Sequence, residues 1–470
     1  MRSIAIHTKY RIRYSQLLFI LSLVIFMISS TTDLAMAAGM FLIVLLAFYV
    51  NIKFIRKKSI FIPKMIICLL LFQNTAIGLG AHLGNNDSDA LSLLTQIPTI
   101  FIVISFAAIL CSSSLRKTDV IFILYALLCF LQMFRTDGEM TAKLSYLRNF
   151  LIFYMGYRIG GYYIAAKEEL DEFLDFFLRM AFWSGIFGIM GMVLGRTFYQ
   201  AIGILEVYHA KRYTAYVNGL PGNFRTLFGG RWVNRLASFY YDPVNFSYFM
   251  ALGASIAFVR KSKLFAFLLV CEVLTFGKGG ILIFVLSVFC IVTHHILKRF
   301  DGKFVKGFIV IAAIGGVIGL VAFIQIYFAD DFGTANHFYG IMTGVDGIRK
   351  NPLGYGIGSA GNLLKTADMT VSSRMDVAET GLVNMVYQLG VVPAILFGWL
   401  LLSTSRGTLR NYEETREDIY LLFTYIPLIL LVISIFQENT FTPQCIIPYM
   451  IIQGATGSYR FMMDRGNKGQ

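Results

Sequence analysis

Charged residues are scarce in this chain: Lys, Arg, Asp and Glu fill 14% of 470 positions, where a soluble protein carries roughly a quarter. That scarcity argues against a soluble enzyme. Cysteine is also thin, with 6 residues. Cys68, Cys111, Cys129, Cys271, Cys290 and Cys445 fall in or beside apolar runs, without paired or metal-ligand spacing. They read as small buried hydrophobes, not as a disulfide framework or a zinc site. No internal repeat of about 20–50 residues is visible, which leaves out solenoids. A cleavable leader is not expected either. The run Leu17 to Ser30 has a basic flank and is followed by Ala-Met-Ala at 35–37, but hydrophobicity resumes at once, as in a transmembrane hairpin.

What the chain does have is apolar length. Hydrophobic residues make up 57% and mean hydropathy is +0.66, in runs long enough to cross a hydrocarbon core, which takes about 20 helical residues. Hydropathy predicts an all-α integral membrane protein of about fourteen transmembrane helices. They lie near 15–30, 34–52, 60–80, 93–111, 119–134, 144–164, 173–194, 243–259, 264–276, 280–297, 306–328, 379–402, 419–436 and 443–459. The cations test this layout, because short cytoplasmic loops collect Lys and Arg. With the N-terminus inside, the inner connections hold Lys53, Arg56, Lys57 and Lys58, then Arg116 and Lys117, then Lys167, then Arg260, Lys261 and Lys263. Lys298, Arg299, Lys303 and Lys306 follow, then Arg406, Arg410 and Arg416, and the tail adds Arg460 and Arg465. The short outer turns are neutral or acidic, with Asp33, Asp87, Asp89 and Glu438. Both termini are therefore expected in the cytoplasm. The chain divides into helices within 1–194, a long external loop 195–242, helices within 243–328, a second external loop 329–378, and helices and tail within 379–470.

The first external loop breaks the charge bias. It carries Arg196, Lys211, Arg212, Arg225, Arg231 and Arg235 against one acid, Glu206. Outward-facing guanidiniums suit a multiply charged anion, since the planar fork binds phosphate oxygens bidentately. Attachment of the loop to anionic lipid headgroups is the equal alternative. Asp242-Pro243 reads as an N-cap followed by proline at the first helical position, so the eighth span starts there with its positive dipole end at the loop. Arg231 and Arg235, four apart, would share a face if their segment were helical.

The second loop contains His337, Arg349 and the run Asn351-Pro-Leu-Gly-Tyr-Gly-Ile-Gly-Ser-Ala-Gly361. A dinucleotide site needs a preceding strand in a βαβ unit; here the glycines more simply let the backbone turn and approach a neighbour. Glu379 opens the twelfth span. Asp376-Val-Ala-Glu379 has the pattern of a capping box, and Glu379 also suits a general base at the outer surface. These two readings stand side by side.

Four elements together resemble the bacterial O-antigen ligase and polysaccharide repeat-unit polymerase superfamily, over roughly residues 230–455. Arg235-Leu-Ala-Ser-Phe-Tyr-Tyr-Asp-Pro-Val-Asn245 is similar to its "Arg, small residue, Asp-Pro-Asn" element. Thr275-Phe-Gly-Lys-Gly-Gly280 is similar to its "Thr-x-Ser-Arg/Lys-Gly" turn. His337, fifteen residues before Pro352, stands where the ligases carry arginine. Glu379-Thr380, nine residues and Gly390 matches the ligase "His-Asn, nine residues, Gly" element with Glu in place of His. That replacement favours a polymerase over a ligase.

The resemblance implies a glycosyltransferase-C-like architecture in the bacterial plasma membrane, acting on oligosaccharide repeat units carried by polyprenyl pyrophosphate. It implies that Arg235, with Arg231 or Arg225 and Lys278, stabilises the departing pyrophosphate. It also implies that Glu379 or His337 takes the proton of the acceptor hydroxyl, with inversion and without metal or cofactor. The expected partners are the lipid-linked substrate, the bilayer, a flippase and chain-length regulators, with no nucleic acid. A lipid-linked oligosaccharide flippase and an O-antigen ligase are the rival readings. Glu272, an acid within the apolar region, is the main departure from charges at span ends, either packing a helix or lying near the outer surface.

Overall fold

The computed structural model describes residues 2–86, 91–137, 139–210, 216–228, 230–299, 332–361 and 380–458, with side chains at all of these except 2–15 and 332–339. The first half is helical: α1 (Arg2–Ser29), α2 (Asp33–Ile55), α3 (Phe61–Gly84), α4 (Leu91–Leu94), α5 (Ile97–Ser112), α6 (Lys117–Gln132), α7 (Met140–Tyr163) and α8 (Lys167–Leu194). Residues 195–242 hold two short helices, α9 (Arg196–Ala201) and α10 (Ile204–Ala210). Two antiparallel hairpins follow, β1 (Tyr216–Val217) with β2 (Leu220–Pro221) and β3 (Arg225–Phe228) with β4 (Arg231–Asn234). The second half contains α11 (Pro243–Val259), α12 (Phe265–Leu274), α13 (Lys278–Arg299) and α14 (Phe332–Lys350). It continues with α15 (Gly381–Leu389), α16 (Val391–Ser403), α17 (Ser405–Thr415), α18 (Asp418–Ile433) and α19 (Pro443–Ser458).

Two helices form the centre. Every residue from Asn245 to Ala257 on α11 is buried, as is every residue from Cys445 to Thr456 on α19. A helix apolar all round must be enclosed by others. α7 lies along α19 at backbone contact: a Cβ at Gly160 would sit 1.8 Å from the Ile451 carbonyl oxygen, and one at Gly454 would sit 1.9 Å from that of Tyr157. Small residues permit this approach, which in an apolar solvent supplies packing where hydrophobic expulsion does not. The outer faces are apolar instead of charged, with Leu42, Leu45 and Phe48 exposed on α2 and Ile123, Leu124 and Leu127 on α6. Among the described residues seven helices are long and apolar enough to cross a membrane: 33–55, 61–84, 91–112, 117–135, 167–194, 278–299 and 391–415.

Polar contacts separate the two ends of the bundle. At one end, ion pairs join Lys64 to Glu172 at 2.5 Å, Arg260 to Asp175 at 2.7 Å and His295 to Asp418 at 2.8 Å, and Lys167 pairs with Glu417. Just inside this end, the buried pair Arg158–Asp119, at 2.7 Å, ties α7 to α6, and the Tyr154 hydroxyl donates to the same carboxylate oxygen at 2.7 Å. The other end gathers the described residues of 195–242, the glycine run 351–361 and the turn Glu438–Phe441. Among the described residues Lys64, Lys167, Arg260 and His295 thus meet their acids at one end, while Lys303, Lys306, Arg460 and Arg465 lie outside them.

Several expectations need correction. Among the described residues seven of the expected spans have a helix long and apolar enough to cross, and some of the others take a different local form. Within the spanning-length stretch 91–112 a two-residue turn at Thr95–Gln96 separates α4 from α5, with Pro98 in the first turn of α5. α12 has 10 residues, about 15 Å of helix against a hydrocarbon core of about 30 Å. The span placed at 379–402 is broken at Gly390, whose φ of +85° ends α15 and starts α16. The described part of the loop 329–378 includes helix α14, and the loop 195–242 adds two short hairpins to a fold that is all α as expected. Cys111 is exposed and Cys290 half-buried, unlike the other four cysteines. The span near 306–328 and the capping-box residues 376–379 lie outside the described residues.

The α7–α19 contact is open to test. Gly160→Val puts atoms where the Ile451 carbonyl stands, and overpacking of this kind costs about 1–3 kcal/mol. A lower thermal midpoint in detergent is expected, while Gly398→Ala, with nothing within 4 Å of the added Cβ, leaves it unchanged. Equal midpoints for the two variants would mean that α7 and α19 do not touch.

Candidate functional site

The loop end is organised by the start of α11. Asp242 has extended backbone and its side chain accepts from the Val244 amide at 2.9 Å, with Pro243 at the first helical position, as the sequence suggests. The chain arrives through Ser238–Tyr240, and the left-handed Tyr241 (φ +53°) turns it into the cap. The Tyr241 hydroxyl donates to the Ile202 carbonyl at 2.6 Å, and the Tyr208 hydroxyl donates to the Tyr241 carbonyl at 2.6 Å. Burial pushes the Tyr241 hydroxyl above the usual phenol range, so it keeps its proton and its bond. Glu206, the loop's acid, faces His82 of α3 at 2.7 Å. The loop is therefore a folded cap held at several points.

Arg235 sits where this cap meets α12. Its amide donates to Phe224 O at 2.8 Å, and the next amide, Leu236, donates to Leu274 O at 2.9 Å. Its half-buried guanidinium donates from Nε to Thr275 O at 2.8 Å and from Nη1 to Asn223 O at 3.3 Å. Thr275 begins a tight turn: its hydroxyl donates to Glu272 O at 2.7 Å and accepts from the Gly277 amide at 3.0 Å. α13 then starts at Lys278, which is half-buried. Arg235 and Lys278 are thus brought to one turn, at the positive end of a helix dipole.

The other expected arginines go elsewhere. Their segment is a hairpin and not a helix. Its register pairs Arg225 with Asn234 and Phe228 with Arg231, so the pleat sends Arg225 and Arg231 to opposite faces. Arg225 donates from Nε to Asn234 Oδ1 at 3.2 Å and from Nη1 to Asn218 Oδ1 at 2.9 Å. Arg231 is exposed. Arg231 points outward, whereas Arg235, just beyond the end of β4, turns its guanidinium onto Thr275. His337 lies on α14, with its side chain outside the described residues, and Glu379, Lys211 and Arg212 are also outside them.

A second polar cluster faces α11 from the far side. The Asn384 amide donates to Glu438 Oε1 at 3.0 Å, and the Tyr146 hydroxyl donates to the same oxygen at 2.8 Å. Gln388 donates to Asn384 Oδ1 at 2.6 Å and accepts from the Gly358 amide at 2.8 Å. The glycine run packs into this network: at Gly361 (φ +101°) a Cβ would lie 2.0 Å from the Tyr146 hydroxyl oxygen. Close approach, not nucleotide binding, accounts for these glycines, since no strand adjoins them among the described residues. Tyr248 of α11 links the clusters, its hydroxyl bonding Thr440 Oγ1 at 2.9 Å beside Gly279 of α13. Thr380, the neighbour of Glu379, is buried and precedes α15 here. Sequence reading passed over Tyr146, Asn384, Gln388, Thr440 and Tyr248. The one available signal was Asn384 and Gln388, polar at helical spacing within an apolar stretch.

Beneath the Thr275 turn lies Glu272, 1% exposed, with neither carboxylate oxygen hydrogen-bonded among the described residues. Gly280 makes room for it; a Cβ there would lie 2.5 Å from Oε1. Glu272 is therefore an interior residue of the α11–α12–α13 contact and does not reach the surface.

Against known proteins, the chain matches no family model, no curated protein and no solved structure. For the Arg235 anchor, Arg235→Lys supplies a point charge without the fork that spans two carbonyls. Faster amide hydrogen exchange at Leu236 and through residues 223–228 is expected, with exchange in α7 and α19 unchanged. Unaltered exchange at Leu236 would mean that the guanidinium does not hold the cap.

Proposed function

We propose that the chain is a membrane glycosyltransferase that joins polyprenyl-pyrophosphate-linked oligosaccharide repeat units into a longer lipid-linked polysaccharide. The product class is O-antigen, capsular polysaccharide or exopolysaccharide. In this reading the bundle is of the glycosyltransferase-C kind with about fourteen spans, multi-pass in the bacterial plasma membrane. The ionic end and both termini face the cytoplasm, and the loop end faces the external leaflet. A flippase supplies the substrate and chain-length regulators are further partners.

The observation that carries the proposal is the placement of Arg235. A half-buried guanidinium stands at the turn where α13 begins, with Lys278 as the first residue of that helix. This combination of cations and helix N-terminus suits a departing pyrophosphate. The acceptor hydroxyl attacks the anomeric carbon of the growing chain. The bond from that carbon to the pyrophosphate oxygen breaks, and the hydroxyl proton passes to a base. One displacement inverts the anomeric carbon. We assign the base to Glu379, which adjoins Thr380 in the chain, with His337 as the other candidate. Arg235 and Lys278 hold the pyrophosphate; Arg225, bound to Asn234 and Asn218, and the exposed Arg231 are less suited to it.

Purified protein supplied with lipid-linked repeat units should yield a ladder of longer lipid-linked glycans. Arg235→Ala and Glu379→Gln should each reduce the ladder by a factor of about a hundred or more, the scale on which an electrostatic or general-base contribution is lost. Both variants should remain folded in the membrane. A full ladder from Glu379→Gln with none from His337→Gln would move the base to His337. Transfer to a core-lipid acceptor alone would identify a ligase.

Glu272 supports a second reading. An interior carboxylate without a hydrogen-bonding partner among the described residues is what a proton-coupled flippase of lipid-linked oligosaccharide uses. On that reading Glu272→Gln abolishes proton-driven translocation in proteoliposomes, and no chain growth occurs in either protein. On the polymerase reading Glu272→Gln leaves the ladder intact.

A further inference from the structure

The hairpin β3–β4 has a tip that the proposed reaction leaves unused. Phe228 is 42% exposed, Trp232 is 67% exposed and Arg231 is exposed between them. The tip is fixed in place: the Phe228 ring lies 5.6 Å from that of Phe276, two residues beyond the end of α12. The outer face of α12 presents Val270, 55% exposed, and Val273, 49% exposed. Neighbouring α8 extends that perimeter with Trp183, Met190 and Val193, all exposed. The hairpin therefore stands on the rim of the bundle, at the height where the apolar outer surface of α12 and α8 ends.

In a bilayer contacted by those side chains, this height is the headgroup layer. Tryptophan prefers that layer because its ring is apolar and its N–H needs a polar partner. Arginine beside it can lay its stem along apolar surface and offer its fork to phosphate. The pleat puts Phe228 and Arg231 on one face and Trp232 on the other, so the tip is amphipathic on both sides and can enter edge-on. No acid occurs between Glu206 and Asp242, which leaves the surface complementary to negative charge.

We propose that the hairpin tip, through Phe228, Arg231 and Trp232, is a docking surface for anionic phospholipid headgroups at the membrane interface. The two basic functions of the loop are then divided: Arg235 faces the protein and its turn, while Arg231 faces lipid. This assignment does not depend on the proposed reaction.

The test uses full-length Trp183→Phe, Trp399→Phe protein, in which Trp232 is the remaining tryptophan. It is reconstituted into phosphatidylcholine vesicles with and without phosphatidylglycerol. Docking predicts a blue-shifted Trp232 emission, quenched more by lipid brominated near the headgroup than by lipid brominated deep in the chain. Phosphatidylglycerol should strengthen the shift, and Arg231→Ala, a change at an exposed position, should remove that dependence. Emission at the wavelength of free tryptophan, open to aqueous iodide and untouched by brominated lipid, would overturn the proposal. So would protection by inorganic pyrophosphate without quenching by lipid, which would make the tip an anion site facing water.

Discussion

A helix with no polar face has to be surrounded, and α11 is such a helix. Its burial from Asn245 to Ala257 demands neighbours on every side, and α8, α12, α13, α18 and α19 supply them. Its first turn is therefore fixed in the middle of one end of the bundle. Everything at that end is set by it: the Asp242 cap, the Tyr241 bend, the docking of Arg235 on the Thr275 turn and the Tyr248–Thr440 link. Loss of packing around α11 would move these groups together, since each is tied to α11 or to an element packed against it.

The same apolar setting dictates how irregular backbone is handled. Away from water, amide and carbonyl groups need partners within the protein, and the loop end meets that need with side chains and short ladders. Leu236 donates to the end of α12, Thr275 closes its own turn, and Gln388 satisfies the glycine run at Gly358 and Ala360. Among the described residues the irregular backbone at this end is therefore tied by specific bonds, which gives the cations beside it defined positions. A flexible loop of the same composition would offer charge without geometry.

The two clusters also differ in electrostatic character. Around Arg235 and Lys278 the groups are cations and a helix N-terminus, suited to an anion. Around Glu438, Asn384, Gln388 and Tyr146 they are neutral donors and acceptors with one carboxylate, bonded to one another, with Tyr146, Asn384 and Gln388 buried. Tyr248 stands between them.

Composition and hydropathy determined that the chain is an apolar helical bundle. Charge placement determined which connections share an end, because the cost of putting a charge into hydrocarbon holds for each helix separately. Local rules also reached the Asp242-Pro243 helix start, since capping depends only on adjacent residues. Whether a run crosses whole was a tertiary matter. Gly390 breaks a continuous apolar segment because its neighbours, at Leu353 and Gly354, come from another part of the chain. The hairpin was likewise invisible to a helical reading of Arg231 and Arg235, as pairing with residues 225–228 and not intrinsic periodicity makes that segment a strand. The separation of the loop arginines, Arg225 onto Asn234, Arg231 outward and Arg235 onto Thr275, followed from that pairing and from α12. Sequence alone counted the cations at this end, and only the fold decided which of them could act together.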